Sequence, residues 1–287
     1  MFEMNGTEKV DILLEKLKED SVEYKELETR GYSLEEKKNA IRSLMNIRMP
    51  RELTDELVNL QDEYLQDERK AKGVVALADI PTIKEQFNSK SSHADKVSLW
   101  QGDITRLEVG AIVNAANSQM SGCFVPCHRC IDNAIHSAAG MQLREECSNI
   151  MNRRRLKYGR KYEEPTGTAT LTSGYNLPCD YVIHTVGPIV YDRLNDKLCQ
   201  DLQNCYDNVL KCCLEHHIKS VAFCCISTGE FHFPNDRAAE IAWKSVTAFL
   251  EKYGDCMERI IFNVFKDSDR SIYEKIFVIH PSYFCDI

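Results

Sequence analysis

The stretch that says most about the fold is Ser220-Val-Ala-Phe-Cys-Cys-Ile226, which is apolar almost throughout. A strand that is apolar on both faces predicts a sheet covered by helices on both sides. Similar short strands are predicted along the rest of the chain, at residues 97–100, 111–115, 168–172, 181–185 and 259–265. Amphipathic helices are predicted between them, at residues 131–147, 197–216, 237–253 and 269–277. This alternation predicts a layered α/β domain.

The N-terminal part of the chain has a different composition. It is rich in Glu, Lys and Leu, which predicts helices. Ser33 and Glu36 have the spacing of a capping box, which marks a helix start. Residues 85–96 are polar and predict a linker. We therefore predict a helical N-terminal extension at residues 1–96 that packs on the α/β domain at residues 97–287, since its apolar stripes need a surface to bury against.

Composition excludes several classes of protein. The chain has 287 residues, 13 cysteines and a formal net charge of −8, and the negative charge argues against a nucleic-acid binder. No apolar run is long enough to span a membrane, and the first residues lack the features of a signal peptide. We predict a cytoplasmic, monomeric protein without a nucleic-acid or membrane partner. In that compartment the cysteines are expected to be thiols or metal ligands.

A metal site is predicted in the loop Gly122-Cys-Phe-Val-Pro-Cys-His-Arg-Cys-Ile-Asp-Asn133, which precedes a predicted helix. Cys123, His128 and Cys130 make a three-ligand set, and zinc with an open fourth position is more often catalytic than structural. Thiolates with an imidazole suit zinc better than magnesium or calcium. The spacing leaves the ligand set open, because Cys127 can replace Cys123. A cysteine-rich chain also produces such patterns by chance.

Polar residues follow four of the predicted strands, where ligands bind in open α/β sheets. Asp103 can accept hydrogen bonds from an exocyclic amine. Ser227, Thr228 and Gly229 offer hydroxyl and backbone N–H groups of the kind that hold a diphosphate. Phe265 can stack on a base or ribose.

The remaining pair, Asn114 and Asn117, can bind sugar hydroxyls. Each of the four segments taken alone also has the composition of an ordinary turn. Together they indicate a nucleotide-like ligand. A Walker lysine motif and a Gly-x-Gly-x-x-Gly fingerprint are both missing from the sequence, which excludes a P-loop NTPase and a dinucleotide oxidoreductase.

In this order, the segments resemble the macrodomain family, and specifically its zinc-containing branch of protein ADP-ribose hydrolases. The motifs that carry the resemblance are Gly102-Asp-Ile-Thr105, Ile112-Val-Asn-Ala-Ala-Asn117, the loop 122–133, Ile183-His-Thr-Val-Gly-Pro188 and Ile226-Ser-Thr-Gly229. The helical part also resembles this branch at Leu44-Met-Asn-Ile-Arg48. The resemblance implies a three-layer α/β/α macrodomain with a mixed central sheet, preceded by a helical extension.

The resemblance further implies an activity, the removal of ADP-ribose from mono-ADP-ribosylated proteins in which it is esterified to Asp or Glu side chains. Asp103 would hold the adenine amine, with the backbone of Ile104 near it. The other implied ligand-binding residues are Asn114, Asn117, Gly122, Ser227, Thr228, Gly229, Glu230, Phe231 and Phe265. One Zn²⁺ per chain would lie beside the distal ribose on Cys123, His128 and Cys130, with Cys127 outside the ligand set.

A mechanism follows from that arrangement. Zinc with an open position can polarise a ribose hydroxyl or activate a water. Asp132 is the candidate for orienting or deprotonating the water, with Asn117 as a second catalytic residue. The alternative reading of Asp132 is structural, because Asp is a favoured helix N-cap.

Two residues of the diphosphate loop depart from the family pattern. Glu230 and His232 stand where relatives usually carry a small apolar residue and Gly. A carboxylate roughly 8 Å from a phosphate costs about 2 kcal/mol at an effective dielectric near 20, and less when it is solvated. The departures leave open an ADP-ribose reader that does not cleave its ligand. A third alternative is a purely structural zinc, with a free metabolite such as acetylated ADP-ribose as the ligand that is hydrolysed.

Overall fold

The N-terminal helices form a layer with its own apolar core. A computed structural model describes residues 6–278 of the chain, beginning with α1 (Gly6–Asp20), α2 (Leu34–Ile47) and α3 (Asp55–Lys72). The predicted capping box opens α2, with the Ser33 side chain accepting from the Glu36 N–H and the Glu36 side chain accepting from the Ser33 N–H. The apolar cluster of these helices also takes in Met141 from the following domain, so the layer docks within the chain.

The remaining elements alternate between strands and helices as predicted. They are β1 (Val75–Ala76), α4 (Ile83–Phe87), β2 (Val97–Gln101), β3 (Leu107–Glu108), β4 (Ala111–Ala116), α5 (Ile131–Ala139), α6 (Met141–Tyr158), β5 (Ala169–Ser173), β6 (Tyr181–Val186), α7 (Asp196–Glu215), β7 (Ser220–Phe223), α8 (Asn235–Tyr253), β8 (Arg259–Val264) and α9 (Asp267–Val278).

Three predicted boundaries were wrong. The helix predicted at 131–147 is two helices, because Gly140 lies between them with φ at 103°, a conformation that ends α5. The helix α4 begins before the predicted linker and extends into it, after a second capping box formed by Thr82 and Glu85. The strand predicted at 220–226 ends at Phe223.

The central sheet is mixed, and it places four loops at one edge. Within residues 6–278 its six strands run in the order β2-β8-β7-β4-β6-β5. All neighbouring pairs are parallel except β5 with β6, which is antiparallel. Helices α5, α7 and α9 pack against the sheet, and all residues of β7 are buried. The predicted α/β fold with a mixed sheet is confirmed.

The segment between the helical layer and β2 packs with the sheet. Ile80, Ile83 and Ala94 are buried in the same apolar cluster as the strands. The domain boundary at residue 96 stays a prediction, and residues 1–5 and 279–287 of the two predicted domains lie outside the described residues. Across residues 6–278, every helix is too short or too polar to cross a membrane.

Candidate active site

Strand order alone arranges the four candidate loops in a row. The carboxyl ends of β2, β8, β7 and β4 are neighbours in that order. Asp103 follows β2, Phe265 follows β8, residues 227–231 follow β7, and Asn117 follows β4. Loops that are scattered over more than 150 positions of sequence therefore meet along one edge of the sheet.

Asp103 is fixed by its own turn. Its Oδ1 accepts hydrogen bonds from the Thr105 N–H at 3.0 Å and the Thr105 hydroxyl at 2.7 Å. Its Oδ2 lies 3.9 Å from the Lys72 ammonium, and the side chain is partly exposed. Next to it, Ile104 is buried and Phe265 is 75% exposed. One carboxylate oxygen and one aromatic face are thus available to a ligand at this end.

The loop after β7 presents backbone donors. The chain reverses at Ser227, whose φ is 65°, and Phe233 N–H donates to the Ser227 carbonyl at 3.0 Å. Within residues 6–278, the N–H groups of Gly229, Glu230 and Phe231 donate to no protein acceptor. Consecutive free N–H groups in such a turn form an anion-binding concavity.

The segment after β6 fixes the position of this loop. Gly187 lies so close to Ser227 that an added Cβ would be 2.0 Å from the Ser227 Oγ. The Val190 N–H donates to the Phe231 carbonyl at 2.9 Å. The two residues that depart from the family pattern, Glu230 and His232, are both exposed.

The three predicted metal ligands converge. Cys123 Sγ lies 3.6 Å from His128 Nδ1, and the ligand atoms of Cys123, His128 and Cys130 all lie within 4.8 Å of one another. Zinc at about 2.3 Å from sulfur and about 2.0 Å from nitrogen, at a tetrahedral angle, puts the two ligand atoms about 3.5 Å apart. The donor set therefore fits zinc in both chemistry and spacing.

The structure separates Cys127 from this group. Its Sγ lies 3.3 Å from the Ser43 hydroxyl and 3.5 Å from the Asn39 carbonyl, both on α2. Its φ of 52° turns the chain between the flanking ligands. This geometry supports Cys123 over Cys127 as the ligand.

Asp132 lies in the first turn of α5, and the structure contradicts its interpretation as the N-cap of that helix. The helix N-cap is Cys130, whose Sγ accepts from the Asn133 N–H at 3.4 Å. Asp132 Oδ1 accepts from the Asn114 amide at 2.8 Å, and its Oδ2 accepts from the Asn117 amide at 3.4 Å. The interpretation of Asp132 as the N-cap was therefore wrong, and the carboxylate is oriented by two asparagine side chains.

A buried hydrogen-bonded chain continues from Asp132 through the sheet. Asn114 also donates to His184 Nδ1 at 3.1 Å, so its amide joins the carboxylate to the imidazole. The Thr172 hydroxyl donates to the Val182 carbonyl at 3.3 Å and lies 2.9 Å from His184 Nε2. That leaves the hydroxyl oxygen to accept, which assigns the proton of His184 to Nε2.

Burial controls the protonation of these groups. Desolvation raises the pKa of Asp132 to about 6, opposed by the Asn114 hydrogen bond and the positive charge of Arg144. Desolvation lowers the pKa of His184 to about 3 and that of His136 well below its ordinary value. Both imidazoles are neutral at pH 7. Their ligand atoms and that of Cys147 all lie within 4.8 Å of one another in a buried group. Both nitrogens of His184 are bonded, whereas His136 Nε2 lies 3.5 Å from Asp132 Oδ1.

Comparison with known proteins agrees with this geometry. The sequence profile described as "Macro domain" matches residues 113–242. A protein-ADP-ribose hydrolase of Treponema medium is 46% identical over 242 residues, covering 84% of this chain and 88% of the relative. The chain belongs to the macrodomain family.

Two further matches are a second hydrolase and a crystal structure of a macrodomain with bound ADP-ribose. The protein-ADP-ribose hydrolase of Staphylococcus aureus strain MSSA476 is 43% identical over 82% of this chain and 83% of its own length. The crystal structure of the Trypanosoma brucei macrodomain in complex with ADP-ribose matches with a TM-score of 0.62 and 28% identity, covering 79% of this chain and 92% of the other.

Sequence reasoning missed a set of residues around the loop at 122–130, which carries the predicted metal ligands. Arg42, Asn46 and Arg144 contact the loop but lie outside it. Asn46 belongs to the motif Leu44-Met-Asn-Ile-Arg48, which marked the resemblance of the helical part to the zinc-containing branch. That motif was the available signal, although it carried no information about what Asn46 contacts.

Proposed function

We propose that this macrodomain hydrolyses the ester bond between ADP-ribose and an Asp or Glu side chain of a modified protein, assisted by zinc. Its family relatives are named protein-ADP-ribose hydrolases, and the chain is a hydrolase of that type. The observation that carries the proposal is the order of the four loops. Asp103, Phe265, residues 227–231 and the Asn117 loop follow neighbouring strands in the order in which ADP-ribose presents adenine, diphosphate and distal ribose.

Each part of the ligand meets matching chemistry along this row. The Oδ2 of Asp103 would accept from the adenine amine, and the exposed Phe265 ring would contact the adenosine. The free N–H groups at 229–231 would bind the diphosphate. Asn114, Asn117 and Gly122 would lie beside the distal ribose.

The chain supplies the elements of hydrolysis at that ribose. Asp132, oriented by Asn114 and Asn117, would hold the attacking water and take its proton as the water oxygen bonds to the anomeric carbon. The bond from that carbon to the ester oxygen breaks, and the side-chain carboxylate leaves with the bonding electrons. Zinc on Cys123, His128 and Cys130, when bound, supplies Lewis acidity for a ribose hydroxyl or the water.

A reader that binds ADP-ribose without cleaving it is the second candidate. The observation that favours it is the pair Glu230 and His232 in the diphosphate loop. Both side chains are exposed, so the Glu230 carboxylate is solvated and its effect on the phosphates is reduced. Hydrolysis of acetylated ADP-ribose would use the same site and differs only in the leaving group.

The experiment compares ADP-ribose release from Asp/Glu-linked and serine-linked modified proteins, with and without a zinc chelator. We expect release from the carboxylate-linked substrate, and a loss of roughly 100-fold or more on chelation. Cys123→Ala and His128→Ala should lose zinc and activity, while Cys256→Ala, an exposed cysteine outside the cluster, should keep both.

The outcomes separate the candidates. Tight ADP-ribose binding without release from any substrate would establish the reader. Cleavage at the normal rate by zinc-free Cys123→Ala would refute metal assistance while leaving the hydrolase intact.

A further inference from the structure

The metal loop obtains its shape largely from outside itself. Residues 122–130 belong to no helix or strand, and the loop contributes one backbone bond of its own, from His128 N–H to the Val125 carbonyl at 3.2 Å. Three ligands at fixed positions are costly to order in such a segment, because each residue held in one conformation loses backbone entropy. The groups that hold the loop are therefore part of the metal site.

Asn46 of α2 is the central contact. It is 1% exposed, and its Oδ1 accepts from the Cys127 N–H at 2.9 Å and from the Asn133 side-chain amide at 3.0 Å. Asn133 in turn donates to the Val125 carbonyl at 3.0 Å. One amide oxygen on α2 thus fixes the turn between the first ligand and the other two.

Two arginines complete the attachment. Arg42 of α2 donates to the His128 carbonyl at 3.3 Å and to the Asn133 Oδ1 at 2.7 Å. Arg144 of α6 donates to the Cys123 carbonyl at 3.2 Å, and its other terminal nitrogen donates to carbonyls at the end of α2. Backbone groups of two ligands, and of the turn between them, are therefore bonded to side chains outside the loop.

We propose that α2 is the positioning element of the metal site, with Asn46 and Arg42 as positioning residues that hold Cys123, His128 and Cys130 in binding geometry. The inference rests on the proposed function, since it takes the loop to bind zinc. Groups that hydrogen-bond to metal ligands fix the orientation of those ligands, and removal of such groups typically lowers metal affinity about 10- to 100-fold. The helical extension is then a part of the active site.

The test measures zinc affinity by competition with a chromophoric chelator, and cobalt(II) absorption spectra, in the full-length protein. Asn46→Leu and Arg42→Ala should bind zinc at least about tenfold more weakly and change the cobalt spectrum. Asn46→Asp keeps the acceptor oxygen but loses the donor to the Ser137 hydroxyl, so it should bind zinc more tightly than Asn46→Leu and more weakly than the unmodified protein. The control is Lys37→Ala on the same helix, where Lys37 pairs with Asp11 of α1 at 2.6 Å.

Two further measurements separate loss of zinc binding from unfolding. ADP-ribose affinity and the circular dichroism spectrum should be unchanged in all variants, so that unfolding does not explain weaker zinc binding. Unaltered zinc affinity and an unaltered cobalt spectrum in Asn46→Leu would overturn this inference and leave the proposed function intact. Failure of the unmodified protein to bind zinc would overturn the zinc part of the proposed function, and this inference with it.

Discussion

Two loops of the proposed ADP-ribose site, at 227–231 and at 122–130, are held in place differently. They are called here the phosphate end and the metal end of the site. The loop at 227–231, proposed to bind the diphosphate, is held by a backbone bond and close packing from Val190 and Gly187, which follow β6. The loop at 122–130, proposed to bind zinc, is attached by side chains such as Arg42, which donates to the His128 carbonyl from 86 positions earlier in the chain. The position of the loop at 227–231 follows from the order of the strands, whereas the loop at 122–130 also depends on side chains of the helical layer.

This contrast predicts that the two ends fail independently. Changes at the phosphate end should weaken ligand binding and leave zinc affinity intact. Changes at the metal end should affect catalysis or metal binding and leave ADP-ribose affinity nearly intact.

The largest expected effect comes from Asp132→Asn at the metal end. The side chain keeps its shape but can no longer take a proton, so release of ADP-ribose should slow about 100-fold or more. Single-turnover release measures the rate, and calorimetry should show ADP-ribose affinity within threefold of the unmodified protein. Asp255→Asn, at an exposed site away from the ligand row, is the control. A rate within threefold would remove Asp132 from the mechanism.

A second effect concerns the buried chain behind Asp132. His184 is neutral when folded, with a pKa of about 3, and its pKa when unfolded is about 6.5. Because the unfolded state binds the extra proton, this contribution to stability is complete above pH 6.5 and is lost as pH falls toward 3. Between pH 7 and pH 5 the loss is about 2 kcal/mol.

Urea unfolding at both pH values measures this loss. His184→Gln should reduce the difference by that amount, and the exposed His217→Gln should not change it. The same pH dependence in His184→Gln would show that the imidazole is not held neutral.

At the phosphate end, Gly187→Ala tests the packing of the loop. The new methyl group would lie 2.0 Å from Ser227 Oγ, 3.0 Å from the Ile226 side chain and 3.3 Å from Ser227 Cβ, so these two residues must shift. A displacement that costs about 1.4 kcal/mol of binding energy raises the ADP-ribose Kd about tenfold. Zinc affinity should not change, and Gly6→Ala, which meets open space, is the control. A parallel loss of zinc would contradict the independence of the two ends.

The smallest effect is expected from Glu230→Gln. Because the side chain is exposed, removal of its charge should improve ADP-ribose affinity less than about threefold, and the gain should shrink as salt is raised. Titrations at two salt concentrations measure both quantities. An improvement above tenfold would show that the carboxylate faces the phosphates and would strengthen the reader alternative.

The sequence predicted the sheet well because its strands are short apolar runs, although the run at 220–226 continues beyond the end of β7 at Phe223. It predicted the helix after the metal loop less well, because an apolar stripe does not reveal that Gly140 adopts a positive φ. Ligand spacing left Cys123 and Cys127 as alternatives, since the choice depends on contacts with Ser43 on α2.

The role of Arg144 was not predictable for the same reason. It bonds to carbonyls 96 to 99 positions earlier, a contact that only the folded chain creates. Periodicity describes neighbours along an element and carries no information about such pairs.

The bonds of Arg144 also have a thermodynamic consequence. One guanidinium joins the last carbonyls of α2 to the carbonyl of Cys123, so local unfolding of the helix releases the loop. Any metal that binds only the ordered loop therefore stabilises α2 by mass action, by about 2.7 kcal/mol at a hundred times its Kd. The amide hydrogens of α2 would then exchange more slowly with solvent as the free metal concentration rises. The stability of this N-terminal helix would therefore depend on the metal concentration.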